Sequence, residues 1–205
     1  MSQTCHYTFL VDSYATEVEK TLSVWAMAAD EDLLRRPVPG DRRGRNLLEH
    51  MLHQCVSENA WFAGMLAIDV PGPVTPAQET RRDFLRHYAA AAAQRLAALR
   101  QQDDAYWQQQ VQFFGEPRSR AWVMLRRIAH TAHHRGQQTV LLRLCGRSLH
   151  SVYGPTADTG GLPKLGGRVL YAYPELADLL ADPEVAARAL PPLGQQPVTE
   201  RAEGL

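Results

Sequence analysis

The sequence predicts an all-α protein: a four-helix bundle over residues 1–158, followed by a Pro-rich extension over residues 159–205. Three observations carry this expectation. Apolar residues recur at helical spacing in four separate stretches. Segments rich in Pro and Gly stand between those stretches as breaks. After Asp158 the composition shifts, with Pro163, Pro174, Pro183, Pro191, Pro192 and Pro197 spread through the remainder.

Helix one is expected from about Tyr7 to Ala29, with Phe9, Tyr14, Val18, Leu22 and Trp25 on its buried stripe. The loop RRPVPGDRRGR ends it, because two prolines and two glycines in so short a span cannot continue a helix. Helix two is expected from about Asn46 to Ile68, with Leu48, Leu52, Cys55 and Ala63 on one stripe, closed by DVPGPVTP. For helix three, Thr75 stands at a capping position, Pro76 at the first helical position, and Gln78 completes a T-x-x-Q capping box. Its inward face is read as Phe84, Leu85, Tyr88, Ala92, Leu96 and Leu99. The stretch AYWQQQVQFF, Ala105 to Phe114, is too aromatic for an assured helix and suits an extended crossover or a strand pair. Helix four is expected from about Ser119 to Leu144, where CGRS supplies a glycine stop. Four such helices fit a bundle, and the long third connection permits a crossover in place of simple up-down order. In the extension only PELADLLAD and PEVAARAL read as short helices, which pack on the bundle or on a neighbouring chain.

Bulk properties exclude several functions. The chain has 205 residues, 45% of them hydrophobic and 21% charged, the balance of an ordinary globular protein. Its formal net charge is zero, so no overall field draws it to nucleic acid or to an anionic membrane. Cys5, Cys55 and Cys145 are odd in number and widely spaced, which fits reduced thiols rather than a disulfide framework. The N-terminus lacks a basic region followed by an apolar core, so no signal peptide is expected. No apolar run approaches the roughly 20 residues that span a bilayer. A soluble, cytoplasmic protein is expected.

The segment HTAHHRGQQ carries the chemistry. His130 and His134 lie four apart on helix four, so both imidazoles leave one face a turn apart and can reach one ion. His133 lies about 100° round the helix and is either a bystander or a support behind the ligands. Val123 and Leu141, seven residues to either side, turn that face towards the bundle interior. Inward histidines must be hydrogen-bonded, paired or metallated. Helix two offers His50 and His53, and either can supply a third nitrogen if the two helices are neighbours. Glu49 is placed to orient His53 from behind. Three nitrogens would leave coordination positions for water or substrate. Other schemes fail: the Glu-x-x-His pairs of a di-iron bundle and the HExxH motif are absent, and Cys55 points elsewhere. Gly136 suggests close approach of another helix, since a helical glycine costs on the order of 1 kcal/mol. Arg135 and Gln137 read as surface positions or as anchors for an acidic partner. The basic run Arg35, Arg36, Arg42, Arg43 and Arg45 reads first as a solvated loop, and second as a dock for an anionic thiol cofactor.

These residues resemble the DinB-like (YfiT-like) superfamily. HTAHHRGQQTVLLRL is similar to that family's last-helix signature, and NLLEHMLHQCVSENAW to its E-L-x-x-H element, with Glu49, His53, Glu58 and Trp61 where the pattern wants them. SVYGPTADT, from Ser151, resembles an extension many members carry. The resemblance spans about residues 7–158. It implies an up-down-down-up bundle, often a homodimer, with one divalent ion (zinc or nickel first, iron or manganese next) on His53, His130 and His134. It also implies metal-dependent chemistry on a small-molecule substrate, with a low-molecular-weight thiol as cosubstrate, since characterised relatives include thiol transferases and isomerases. The expected function is therefore a metal-dependent thiol transferase or hydrolase, with no general base assigned. The alternative is a non-catalytic bundle that holds a metal or a small ligand. Nucleic-acid binding ranks below both, because the arginine run lacks interleaved aromatics.

Overall fold

The computed structural model describes residues 5–173, 175–182, 187–194 and 199. Four long helices dominate: α1 (Thr8–Ala26), α2 (Leu47–Leu66), α3 (Arg81–Leu99) and, later in the chain, α5 (Arg120–Leu144). Between α3 and α5 lie a short helix, α4 (Asp104–Gln108), and an antiparallel hairpin of β1 (Gln110–Phe113) and β2 (Glu116–Ser119). One further helix, α6 (Leu176–Ala181), follows in the extension.

Side-chain pairings fix the helix directions. Trp25 near the end of α1 meets Phe84 and Tyr88 near the start of α3, so these two run antiparallel. Gln54 and Glu58 of α2 meet Tyr88 and Arg95 of α3 in rising order, so α2 and α3 run parallel. Along α2 and α5 the pairing falls, His53 with His134 and Met65 with Arg120. Glu17 and Trp25 meet Arg135 and Gln138 in rising order, so α5 runs with α1. The order is up-down-down-up: because α2 and α3 run parallel, residues 67–80 between them make the long crossover, and the α4–hairpin segment joins the antiparallel α3 and α5.

Local chemistry accounts for the ends. Asn46 accepts from Glu49 N at 2.8 Å while Glu49 accepts from Asn46 N at 3.0 Å, a reciprocal capping box for α2. Ala67 ends α2 in the left-handed region, before the prolines the sequence singles out. Helix α3 starts later than its sequence suggests. Thr80, not Thr75, is the cap, its hydroxyl accepting from Asp83 N at 3.2 Å. The T-x-x-Q pattern at Thr75 lies in a loop, where Val74 supplies a carbonyl to His87. Ser119 caps α5 by accepting from Trp122 N. Gly146, at φ 76°, ends it, with Arg147 N donating back to Leu142 O. The hairpin turn places Phe114 and Gly115 both at positive φ, as a two-residue connection between twisted strands demands.

The core follows the expected stripes with two adjustments. Tyr14, Val18, Leu22 and Trp25 of α1 are buried, but Phe9 is exposed and Leu10 and Val11 face inward instead. In α2 the fully buried set is Leu47, Met51, Phe62 and Leu66, whereas Leu48 and Leu52 pack at its edge. Each such buried side chain contributes about 1.5–3 kcal/mol.

The extension folds back onto this bundle. Arg143 of α5 pairs with Asp158 at 2.5 Å just before the extension begins, and Leu170 within it accepts from Ser151 N at 2.8 Å. Leu179 of α6 is fully buried in the main apolar cluster. At Gly167 a Cβ would stand 2.2 Å from Gly161 O, so only glycine permits that approach. PEVAARAL forms no helix over residues 187–190, and its first half lies outside the described residues.

The capping assignment is open to a direct check. Thr80→Ala should lower unfolding free energy by about 1 kcal/mol, while Thr75→Ala should stay within about 0.5 kcal/mol of wild type. Chemical denaturation of both variants measures this.

Candidate metal centre

The antiparallel packing of α2 and α5 brings His53 against His130 and His134. Ring centroids lie 4.6 Å apart for His53 and His134, 5.4 Å for His53 and His130, and 4.5 Å for His130 and His134. One ring nitrogen from each of the three lies within 4.8 Å of the other two. Among the described residues no other group of histidine, cysteine or carboxylate side chains converges in this way. The Nε2 atoms of His130 and His134 face each other at 3.2 Å, and His53 Nε2 is buried with no hydrogen-bond partner. A buried, unpaired ring nitrogen aimed at two others is what an absent cation would resolve. The donor set therefore fits a divalent metal of the kind that takes imidazole nitrogen.

The electrostatics keep these rings neutral. Burial lowers the pKa of His134 to about 3 and that of His130 to about 4, and the neighbouring imidazoles and arginines add to the effect. His53 is lowered too, first by burial and then by the charges of Arg45 and Arg127. Neutral imidazole is the metal-binding form, so near neutral pH the cluster needs no deprotonation before it binds. The Nδ1 atoms of His130 and His134 are buried without a partner, so no described side chain fixes their tautomer.

Immediately beyond the histidines lies a buried ionic network. Glu58, one turn and more past His53, is fully buried. Its Oε1 accepts from Tyr14 of α1 and from Arg95 of α3 at 3.1 Å. Its Oε2 accepts from Gln54 at 2.6 Å and from Tyr88 of α3 at 3.1 Å. Arg127 of α5 stands 3.9 Å from Oε2 and donates to Gln54 Oε1, Ser57 Oγ and Thr131 Oγ1. Gln54 and Thr131 are the chain neighbours of His53 and His130, so this network sets the spacing of the helices that carry the cluster. Trp61 closes one side, its ring 5.6 Å from that of His130 and packed edge-on against Phe113 of the hairpin.

The profile of the DinB family matches residues 1–161. The chain belongs to the DinB family. A solved DinB-like protein from Bacillus cereus ATCC 10987 superposes with a TM-score of 0.63 at 24% identity, covering 70% of this chain and 95% of that one. A second DinB-like protein, YjoA from Bacillus subtilis, gives a TM-score of 0.55 at 12% identity, covering 68% and 94%. The uncharacterized protein YrdA of Bacillus subtilis (strain 168) is 29% identical over 94 residues, 45% of this chain. That match takes in 56% of YrdA's length.

Within this DinB-family fold the remaining sequence expectations divide. His53 joins the cluster, whereas His50, a turn earlier, is buried beside it with its ring 5.4 Å from that of His134. His133 is exposed and meets Gln137 at 2.9 Å. Glu49 does not orient His53: both its oxygens go to Arg36, and one also serves the α2 cap. Gly136 has nothing within 4 Å of where a Cβ would sit, so no close helix approach explains it. Arg135 is buried, pairing with Glu17 at 2.5 Å and donating to the Tyr153 hydroxyl. Cys55 lies in the core, where burial pushes its thiol up to about 12. The residues that sequence reasoning missed are Gln54, Arg127 and Thr131. Their signal was the i, i+4 spacing of Gln54 to Glu58 and of Arg127 to Thr131 beside the histidines.

Two outcomes follow from this arrangement. The unfolded chain takes up protons on its histidines near pH 6.5, but the folded chain holds His50, His130 and His134 neutral until about pH 3–4. Stability of the metal-free protein is thus complete above pH 6.5 and is lost as pH falls towards 4. Thermal melts between pH 7.5 and 4.5 should show that loss, and His134→Gln should make it shallower. Separately, Glu58→Ala strands Arg95 and Arg127 and should cost about 3–5 kcal/mol, read by denaturant unfolding.

Proposed function

We propose that this DinB-family protein is a metal-dependent enzyme whose divalent ion, zinc or nickel first, is held by His53, His130 and His134. The observations that support the reading are the unpaired, buried Nε2 of His53 and the convergence of one ring nitrogen from each of His53, His130 and His134 within 4.8 Å. A divalent ion supplies Lewis acidity there, which lowers the pKa of a thiol or water bound to it. The substrate is a small molecule, and thiol S-transfer is preferred over hydrolysis on the strength of the family resemblance.

The chain's own residues have definable parts in this reading. Burial holds the three imidazoles ready as neutral donors. The Glu58–Arg127–Gln54 network keeps α2 and α5 at the separation the donors need. Trp61 and the hairpin shield one side from water. Residues 1–158 form the unit that bears the site, and within 159–205 the helix α6 packs against α1. A homodimer is the assembly that the family resemblance implies. A reducing, cytoplasmic setting suits three free cysteines. No helix among the described residues is long and apolar enough to cross a membrane.

A non-catalytic scaffold differs in one respect: a fourth side chain would close the metal. His50 is the nearest candidate, but it stands outside the converging set. Elemental analysis of untagged protein, purified without chelator, should find about one divalent ion per chain. His53→Ala and His134→Ala should each lose it while retaining helical circular dichroism. Wild-type protein that holds no metal and takes up neither zinc nor nickel would overturn the proposal.

A further inference from the structure

A groove of about 510 Å³ runs between the loop after α1 and the second half of α5, lined by Pro37, Arg45, His50, Gln137, Val140 and Leu141. It lies one turn of helix beyond the histidine cluster on both walls, since His50 precedes His53 on α2 and Gln137 and Leu141 follow His134 on α5. One turn is about 5.4 Å. Its volume is that of a small-molecule site.

The charges around the groove are uneven. Arg36 is spent on Glu49 and the Gly44 carbonyl, and Arg43 on Asp41. Arg45 makes no hydrogen bond or ion pair among the described residues, although its charge reaches His50, His53 and His134. No carboxylate lines the groove. At its inner wall His50 is 2% exposed, with Nδ1 buried and lacking a partner. Val140 and Leu141 supply an apolar floor. An unpaired guanidinium, a buried unpartnered imidazole nitrogen and an apolar wall together match a short organic acid better than a neutral or cationic guest.

We propose that this groove is the subsite for the carboxylate of a small acidic substrate, Arg45 binding the acid group so that the rest of the molecule reaches the histidine cluster about one helical turn away. This rests on the metal-centre reading for what happens at the far end of the substrate, but the subsite itself requires no metal. Arg45 is exposed and outside the core, so replacing it leaves the fold intact. Arg42, on the same loop and also exposed, does not line the groove and serves as control.

The test is a succinate titration of metal-free protein, followed by the NMR signals of the Arg45 side chain and the His50 ring. Succinate should shift both signals saturably, and Arg45→Gln should weaken binding at least fivefold while Arg42→Gln leaves it unchanged. Zinc-loaded protein should then bind 3-mercaptopropionate at least fivefold more tightly than 1-propanethiol, a preference that Arg45→Gln removes. Succinate that fails to bind, or binds Arg45→Gln as well as wild type, overturns the subsite even if zinc loads normally. Inorganic phosphate that binds more tightly than succinate overturns the assignment to a carboxylate. If zinc does not load but succinate still depends on Arg45, the subsite stands and the metal reading falls.

Discussion

Everything at the centre of this bundle depends on one fully buried carboxylate. Glu58 is the point where all four long helices meet: Tyr14 comes from α1, Gln54 from α2, Tyr88 and Arg95 from α3, and Arg127 from α5. Burying such a group costs several kcal/mol, and the cost is offset only when its oxygens are well satisfied. Here each oxygen has at least two donors. Sliding any one helix by a turn would remove donors from a group that cannot turn to solvent. The network therefore acts less as a source of net stability than as a lock on helix register, which an apolar core of interchangeable leucines enforces only loosely.

Register is what the histidine cluster needs. His53 and the pair on α5 come from helices far apart in sequence, and their nitrogens converge within 4.8 Å. The same interhelical contacts that place Gln54 against Thr131 and Arg127 place His53 against His130 and His134. Burial of the rings then works in two directions. It withholds protons from them, which weakens the metal-free fold in acid, and it presents them as uncharged donors to a cation near neutral pH.

Much of this was legible in the sequence because it rests on periodicity. The four helices, the turn of His130 and His134 towards the interior, and the glycine stop at Gly146 all follow from spacing alone. The start of α3 was not legible, because Thr75-Pro76 and Thr80 both satisfy local capping chemistry and only tertiary packing decides between them. Phe9 misled by angle: it stands five residues before Tyr14, well round the helix, so Leu10 and Val11, four and three residues before Tyr14, take the inward face. Gly136 misled because nothing lies within 4 Å of where its Cβ would stand, so no neighbouring helix calls for a glycine there. Polar partners were the hardest to foresee. Glu49 was expected behind His53, but a bidentate arginine on the preceding loop outcompetes a lone imidazole for its oxygens. Arg135 looked like a surface residue, and its burial depends on Glu17 and Tyr153, which lie 118 and 18 residues away.

The two ends of the cluster are unlike, and the difference gives the site a direction. Towards the α5 N-terminus, Arg127, Thr131, Gln54 and Glu58 fill the space between the helices, and Trp61 lies against His130. Towards the α5 C-terminus lies a groove lined by His50 of α2 and by Gln137 and Leu141 of α5. Positive charge stands at both ends, with Arg127 neutralised by the network and Arg45 left unpaired. A guest entering from the groove meets a guanidinium first and neutral imidazoles second, an order that favours an anion leading its uncharged end inward. The closed end cannot offer that sequence of contacts, so on the proposed reading a guest approaches the cluster from the loop side rather than the hairpin side.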